Sequence, residues 1–186
     1  MIDRRAVLGG VALSLVAPRS LASDWAQDGA ANGVPNLHRV TDSLWRSAQP
    51  RSEGFSFMAD LGVRTVISLR QIVRDDRRTE DPRLDLVRVP MKSRDVGADD
   101  GAHVVAALQA MDAGLQRGPV LVHCRFGSDR TGCIIALYRM LWQDWPRAKA
   151  IAELTGGPYG FHAVYQNIPA YLETVDLERL RARVAI

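Results

Sequence analysis

Strands that alternate with helices place this chain in the α/β class. Three observations carry that assignment. Arg64-Thr-Val-Ile-Ser-Leu-Arg70 and Pro119-Val-Leu-Val-His123 are short β-branched runs, the composition of interior strands. Segments 52–61, 99–117 and 131–142 have the length and apolar spacing of helices and lie around those runs. The run ending at His123 passes through a tight loop directly into an apolar helix. The loop thus leaves the carboxyl end of a strand, the edge at which open α/β sheets bind ligands.

Taken in order, residues 23–35 are small and polar with Gly and Pro and read as a tether. Asn36–Val40 and Ser43–Ser47 read as two short strands around a Thr41-Asp42 turn. Segment 52–61 reads as a helix with Ser52 as N-cap and Gly62 at its end. After the strand at 64–70 comes a dense charge run, Arg74-Asp-Asp-Arg-Arg78, expected as a solvated loop or frayed helix. Asp85–Val89 is the next strand, stopped by Pro90. A connection rich in Gly and charge leads to helix 99–117, capped by Asp99 or Asp100. Val104, Ala107, Leu108, Met111 and Leu115 form its stripe. Helix 131–142 is apolar nearly all round and is expected to be buried. Segment 146–155 is a helix opened by Pro146 and closed by Gly156-Gly157, and 163–175 and 176–185 are C-terminal helices.

The chain has 186 residues, 47% of them hydrophobic, enough for one well-buried domain over 36–186. Residues 1–22 have the anatomy of a secretory signal: Asp3-Arg4-Arg5, an apolar run over 6–17, then Ser20-Leu21-Ala22 as a small-x-small cleavage site. The run is too short to span a bilayer. The paired arginines resemble a twin-arginine signal, although Asp3 stands where that motif has Ser or Thr. The expected mature protein is therefore periplasmic or secreted, with no stable membrane insertion, and is expected to be a monomer. Residues 1–22 hold three Arg and one Asp, so the formal charge of +3 falls to +1 without them. With no basic run and little aromatic interleaving, nucleic-acid binding is disfavoured. A nearly neutral chain must concentrate anions locally, in a pocket.

The loop His123-Cys-Arg-Phe-Gly-Ser-Asp-Arg-Thr-Gly132 supplies such a pocket. Strand, loop and helix N-terminus bring backbone N–H groups and a helix dipole onto one anion. A thiol beside a helix N-terminus and a fixed cation is favoured as thiolate, so Cys124 reads as the nucleophile. Arg130 offers a planar fork for two phosphate oxygens. Gly127 lets the backbone turn. Thr131 can support the sulfur as a leaving group, and His123 reads as a loop-fixing residue rather than a base. Arg125, Phe126, Ser128 and Asp129 complete the phosphate-binding loop. Cys133, the only other cysteine, reads as packing, with a resolving role as the alternative.

These residues resemble the motif of the cysteine-dependent protein tyrosine phosphatases, in particular the compact dual-specificity branch. Leu44-Trp-Arg-Ser-Ala-Gln-Pro50, Val66–Arg70 and Gly157-Pro-Tyr-Gly-Phe-His162 are similar to small exported bacterial members, so the resemblance spans roughly residues 36–175. It implies a central, mostly parallel sheet flanked by helices on both faces. It also implies hydrolysis of phosphomonoesters through a cysteinyl-phosphate. No cofactor or metal is implied, and His38, His103, His123 and His162 lack metal-site spacing.

The same resemblance implies an acid on a loop ahead of the helix that leads to the Cys strand. Asp95, Asp99 and Asp100 lie there, and Asp95 is favoured because the other two read as helix caps. Asp129, inside the loop, is the alternative and would suggest a phosphoinositide-type enzyme. Arg70 either reaches the substrate or pairs with a loop carboxylate. Arg125 is the only extra cation of the loop and Asp129 opposes it. That balance favours phosphotyrosine, with phosphoserine or phosphothreonine as further substrates, over inositol polyphosphates. The expected partner is a phosphorylated envelope protein such as a receptor's outer domain. A catalytically silent phosphate-binding module is the reading from a different class.

Overall fold

The computed structural model describes residues 24–29 and 32–186. The expected leader, 1–22, lies outside them, as do Ser23, Ala30 and Ala31 of the expected tether. The strands are β1 (Gln27–Asp28), β2 (His38–Arg39), β3 (Leu44–Ser47), β4 (Thr65–Ser68), β5 (Asp85–Arg88) and β6 (Val120–His123). They form one mixed sheet in the order β1-β2-β3-β6-β4-β5. The four strands β3, β6, β4 and β5 run parallel, and β1 and β2 add an antiparallel edge.

The helices are α1 (Ser52–Asp60), α2 (Ala102–Leu115), α3 (Asp129–Trp142), α4 (Arg147–Gly156), α5 (Asn167–Thr174) and α6 (Leu177–Val184). Side chains of a strand alternate between the two faces of its sheet. Val120 and Val122 of β6, with Ile67 of β4, therefore enter the larger core together with α2 and α3. Leu121 and Val66 enter the smaller core, where α1 contributes Phe55, Met58 and Ala59. Both faces of β6 are thus covered, and its carboxyl end opens at the sheet edge with Cys124. The expected stripe of α2 is buried at Val104, Ala107, Leu108 and Met111. Helix α3 is buried on nearly every side, with α4, α5 and α6 packed around it. Its buried Arg139 donates to Glu153 of α4 at 2.8 Å.

Several expectations change. Residues 24–29 and 32–35 are not a tether: Ala26 and Val34 are buried, and the Ala26 N–H donates to the Glu153 carboxylate at 2.8 Å. Small side chains there let the backbone lie against the fold and extend the sheet. Ser52 is the first helical residue and not the cap; Arg51 takes that position in extended conformation, without a side-chain cap bond. Asp99 and Asp100 do not cap α2 either. Both adopt left-handed backbone (φ 52° and 54°), and Gly101 precedes the helix. Their carboxylates turn to side chains instead, Asp99 toward His103 in the first turn of α2 and Asp100 toward Arg179 of α6. Helix α5 begins at Asn167, four residues later than expected. The charge run forms an exposed loop with a short 3₁₀ turn at Asp75–Arg77, but Asp75 itself is buried.

Candidate active site

Cys124 follows β6 directly and is 1% exposed. The Gly127 N–H points at its Sγ from 3.3 Å. Gly127 has φ +77°, and a Cβ there would come within 2.5 Å of the Ser47 backbone. Glycine is therefore required both for the turn and for seating the loop on the end of β3. The loop ends on α3, where the Ser128 carbonyl accepts from the Gly132 N–H at 2.8 Å.

Arg130 is fixed by one nitrogen. Its Nη1 donates to the carbonyls of Leu69 and Met91, both at 3.1 Å. Its Nε is buried with no partner among the described residues. The head is thus anchored on one side and keeps donor capacity for an anion. Arg70 pairs with no carboxylate among the described residues; its Nη1 donates to Gln49 Oε1 at 3.2 Å. Burial pulls the Arg70 guanidinium down from its ordinary value, and the nearby charges of Arg130 and Arg125 pull the same way. Three guanidiniums therefore crowd one mouth, an arrangement that an anion would relieve. Thr131 is fully buried and its hydroxyl has no partner among the described residues. Phe126 is exposed at the rim, its ring 5.2 Å from that of His162.

His123 makes two buried contacts, one to the loop and one to Asp75. Its Nδ1 lies 3.2 Å from the Cys124 carbonyl and its Nε2 lies 2.7 Å from Asp75 Oδ2. Both ring nitrogens face acceptors. Burial alone would raise the Asp75 carboxyl. The hydrogen bond and charge of His123 and a bond from Gln49 Nε2 (2.9 Å) outweigh it and hold the group below its ordinary 3.8.

The candidate acids separate by their surroundings. Asp129 is 3% exposed, and its Oδ1 accepts from the His162 N–H at 2.9 Å. The His162 ring nitrogen Nδ1 lies 3.0 Å from its Oδ2. That carboxylate faces the 157–162 loop and ties it to the anion loop. Asp95 lies in a short 3₁₀ turn, Ser93–Asp95, is partly exposed, and has Lys92 Nζ at 3.5 Å. No hydrogen bond or ion pair among the described residues joins Asp95 to the anion loop. The connection to its segment runs through Met91, whose carbonyl Arg130 holds.

The residues missed from sequence are Asn36, Arg46, Gln49, Asp75 and His162. Arg46 is 1% exposed, donates to the Gly127 carbonyl at 2.8 Å and stacks 3.6 Å from the Tyr159 ring. Burial pushes its guanidinium down to about 10, still cationic at neutral pH. Arg46, Gln49 and His162 all lie in stretches already singled out for their resemblance, a signal that could have found them. Asp75 carried none, being one of two acids in a run of five charged residues.

Comparison with known proteins agrees with this geometry. The model of the tyrosine phosphatase family matches residues 34–156. The dual specificity protein phosphatase TpbA of Pseudomonas aeruginosa is 35% identical over 183 residues, 96% of this chain and 79% of the relative. The crystal structure of P. aeruginosa TpbA superposes with a TM-score of 0.77 at 29% identity, covering 90% of this chain and all of that one. A cysteine-to-serine variant of TpbA in complex with pTyr gives a TM-score of 0.76 at 30% identity, covering 90% and 98%. Inositol diphosphatase DSP5 of Arabidopsis thaliana is 27% identical over 128 residues, 64% of this chain and 60% of the relative. With the loop geometry and these matches together, the chain belongs to the tyrosine phosphatase family and is an enzyme of its protein-tyrosine/dual-specificity class.

Proposed function

We propose that the enzyme hydrolyses phosphotyrosine in proteins, and phosphoserine or phosphothreonine with it, through a cysteinyl-phosphate. The observation that carries this reading is the Gly127 N–H on the Cys124 sulfur, with the free side of Arg130 beside it. The thiolate attacks phosphorus in line, an S–P bond forms and the O–P bond to tyrosine breaks. Loop amides and Arg130 stabilise the equatorial oxygens. Asp95 gives its proton to the departing phenolate oxygen. In the second step water attacks phosphorus, its proton passes to the Asp95 carboxylate, and the S–P bond breaks. Thr131, whose hydroxyl is free, supports the departing sulfur. Asp99 and Asp100 are less suited to this role because their basic partners lie nearer, His103 at 3.3 Å and Arg179 at 2.9 Å, than Lys92 does to Asp95 at 3.5 Å. Asp129 serves as an anchor for the same reason.

The charged start, apolar run and Ser20-Leu21-Ala22 support export. The reading places a monomeric enzyme in the periplasm or outside the cell, acting on a phosphorylated envelope protein. N-terminal sequencing of the envelope fraction should give a chain beginning near Ser23; a chain intact from Met1 and confined to the cytosol would remove this part.

A second reading has one observation in its favour. Arg70, Arg125 and Arg130 make the mouth more cationic than the loop alone suggested, as an inositol polyphosphate would want. Turnover of a phosphotyrosine peptide against an inositol polyphosphate decides between them, and efficiency higher on the peptide is expected. A protein that turns over neither these nor an activated aryl phosphate is the silent module.

A further inference from the structure

The anion loop is held from behind, carbonyl by carbonyl. The Cys124 carbonyl faces His123 Nδ1 at 3.2 Å, and the Arg125 carbonyl accepts from the Gln49 N–H at 3.3 Å. The Phe126 carbonyl accepts from Asn36 Nδ2 at 2.7 Å, and the Gly127 carbonyl from Arg46 Nη2 at 2.8 Å. Each peptide unit is planar and trans, so its C=O and the next residue's N–H point in opposite directions. A donor that fixes a carbonyl on the outside therefore fixes the following amide toward the inside. Gly127 gives an internal check. Its preceding carbonyl is held by Asn36, and its own N–H reaches the Cys124 sulfur.

Two of these donors are unusual for a structural role. Asn36 adopts left-handed backbone (φ 54°) and spends its amide on two carbonyls, those of Phe126 and Tyr159 (2.9 Å). Arg46 is a buried cation with no carboxylate at ion-pair distance among the described residues, and its Nε has no partner there. Taking an isolated cation out of water costs several kcal/mol unless something negative compensates. The compensation is electrostatic and comes from Tyr159 and the Glu153 carboxylate first, with Cys124 across the loop adding to it.

We propose that Asn36 and Arg46 are positioning residues of the anion site. By holding the Phe126 and Gly127 carbonyls they aim the Gly127 and Ser128 amides at the bound phosphoryl group, and Arg46 adds a buried positive charge behind it. The assignment rests on the reading of this loop as the phosphate site. It gives the hairpin β2–β3 and its flanks, 81 to 90 positions upstream, a direct part in binding.

The test measures competitive inhibition by inorganic phosphate and by vanadate in full-length wild type, Asn36→Asp, Arg46→Met and Arg46→Lys. Asn36→Asp keeps size and tolerance of the left-handed backbone while replacing the donor by an acceptor. It should weaken phosphate inhibition by about tenfold, the equivalent of one net hydrogen bond. Its kcat/KM should fall by the same factor on phosphotyrosine and on an activated aryl phosphate, because the loss is in anion binding and not in proton delivery. Arg46→Met should lose more. If it does not fold, Arg46→Lys serves, and weakened phosphate binding is again the expected result. Folded variants with wild-type melting and wild-type phosphate inhibition would overturn the proposal. If wild type itself shows no competitive inhibition by phosphate, the reading of the loop falls and the proposal with it.

Discussion

The anion loop and the segment carrying Asp95, to which the proposed mechanism gives the two halves of the reaction, are built in opposite ways. From Cys124 to Gly127 every carbonyl of the loop has a donor behind it, and Cys124, Gly127, Ser128 and Asp129 are buried. Residues 92–101 are mostly exposed and include left-handed turns at Gly97, Asp99, Asp100 and Gly101. That segment is held from the side: Asn167 Nδ2 donates to the Ser93 carbonyl at 2.9 Å, and Asp100 meets Arg179 at 2.9 Å. Charge stabilisation needs donors in place before the reaction, since reorganising them would cost what they give. Proton delivery to leaving groups of different sizes needs only reach. Under the proposed mechanism, the difference teaches that the rigid half sets what anion is bound and the looser half sets which esters are cleaved.

If that division holds, variants in the rigid half should damage every substrate. Cys124→Ser removes the proposed nucleophile and should reduce turnover of phosphotyrosine and activated aryl phosphate alike to background, while phosphate still binds. Measurable turnover at the wild-type pH optimum would end the thiol mechanism. Arg130→Lys comes next. An ammonium cannot hold the Leu69 and Met91 carbonyls and also present a fork, so kcat/KM should fall about 10²-fold or more on both substrates. Near-full activity would mean that the fork is not used.

The looser half should show selectivity by leaving group. Asp95→Asn should slow phosphotyrosine turnover by about 10²-fold and leave an aryl phosphate with a good leaving group almost unchanged. It should also erase the limb of the pH–rate profile that reports a protonated acid. Asp129→Asn weakens the tie to His162 and should cost stability without that leaving-group dependence. A reversal of the two patterns would put the acid inside the loop and erase the division of labour.

Sequence carried the parts whose chemistry is local. Cys124, Gly127 and Arg130 are fixed by spacing along one loop, and β6 and α3 by uninterrupted apolar runs. The sheet was legible because Val66/Ile67 and Leu121/Val122 can fill two cores at once. What failed was whatever depended on a partner far along the chain. Ser52 had the right residue type for a cap, but Arg51 takes the turn. Asp99 and Asp100 look like caps until Arg179 and His103 engage them. Ala26 looks like tether because Glu153, its partner, is 127 positions away. Asp75 sits in a run that reads as solvent-facing, and only the approach of His123 shows why one of its acids is buried.

That buried acid gives the smallest expected effect and the finest test of how the rigid half is held. Asp75 accepts from His123 and Gln49, and its carboxyl is held below 3.8 in the folded protein. A group with a depressed folded value stabilises the fold above its unfolded value, near 3.9, and loses that contribution as pH falls through the folded value. Asp75→Asn keeps the shape but has no charge to offer His123. It should cost about 1.5–3 kcal/mol at neutral pH, the range for hydrogen bonds to charged groups. The cost should shrink below about pH 4, because wild type then loses the same interaction by protonation. Urea unfolding of both proteins at pH 7 and at pH 3 measures it. A gap between the two proteins that stays constant across that range would mean that the carboxylate charge does not hold His123 beneath Cys124. The loop would then owe its rigidity to the Asn36 and Arg46 side alone.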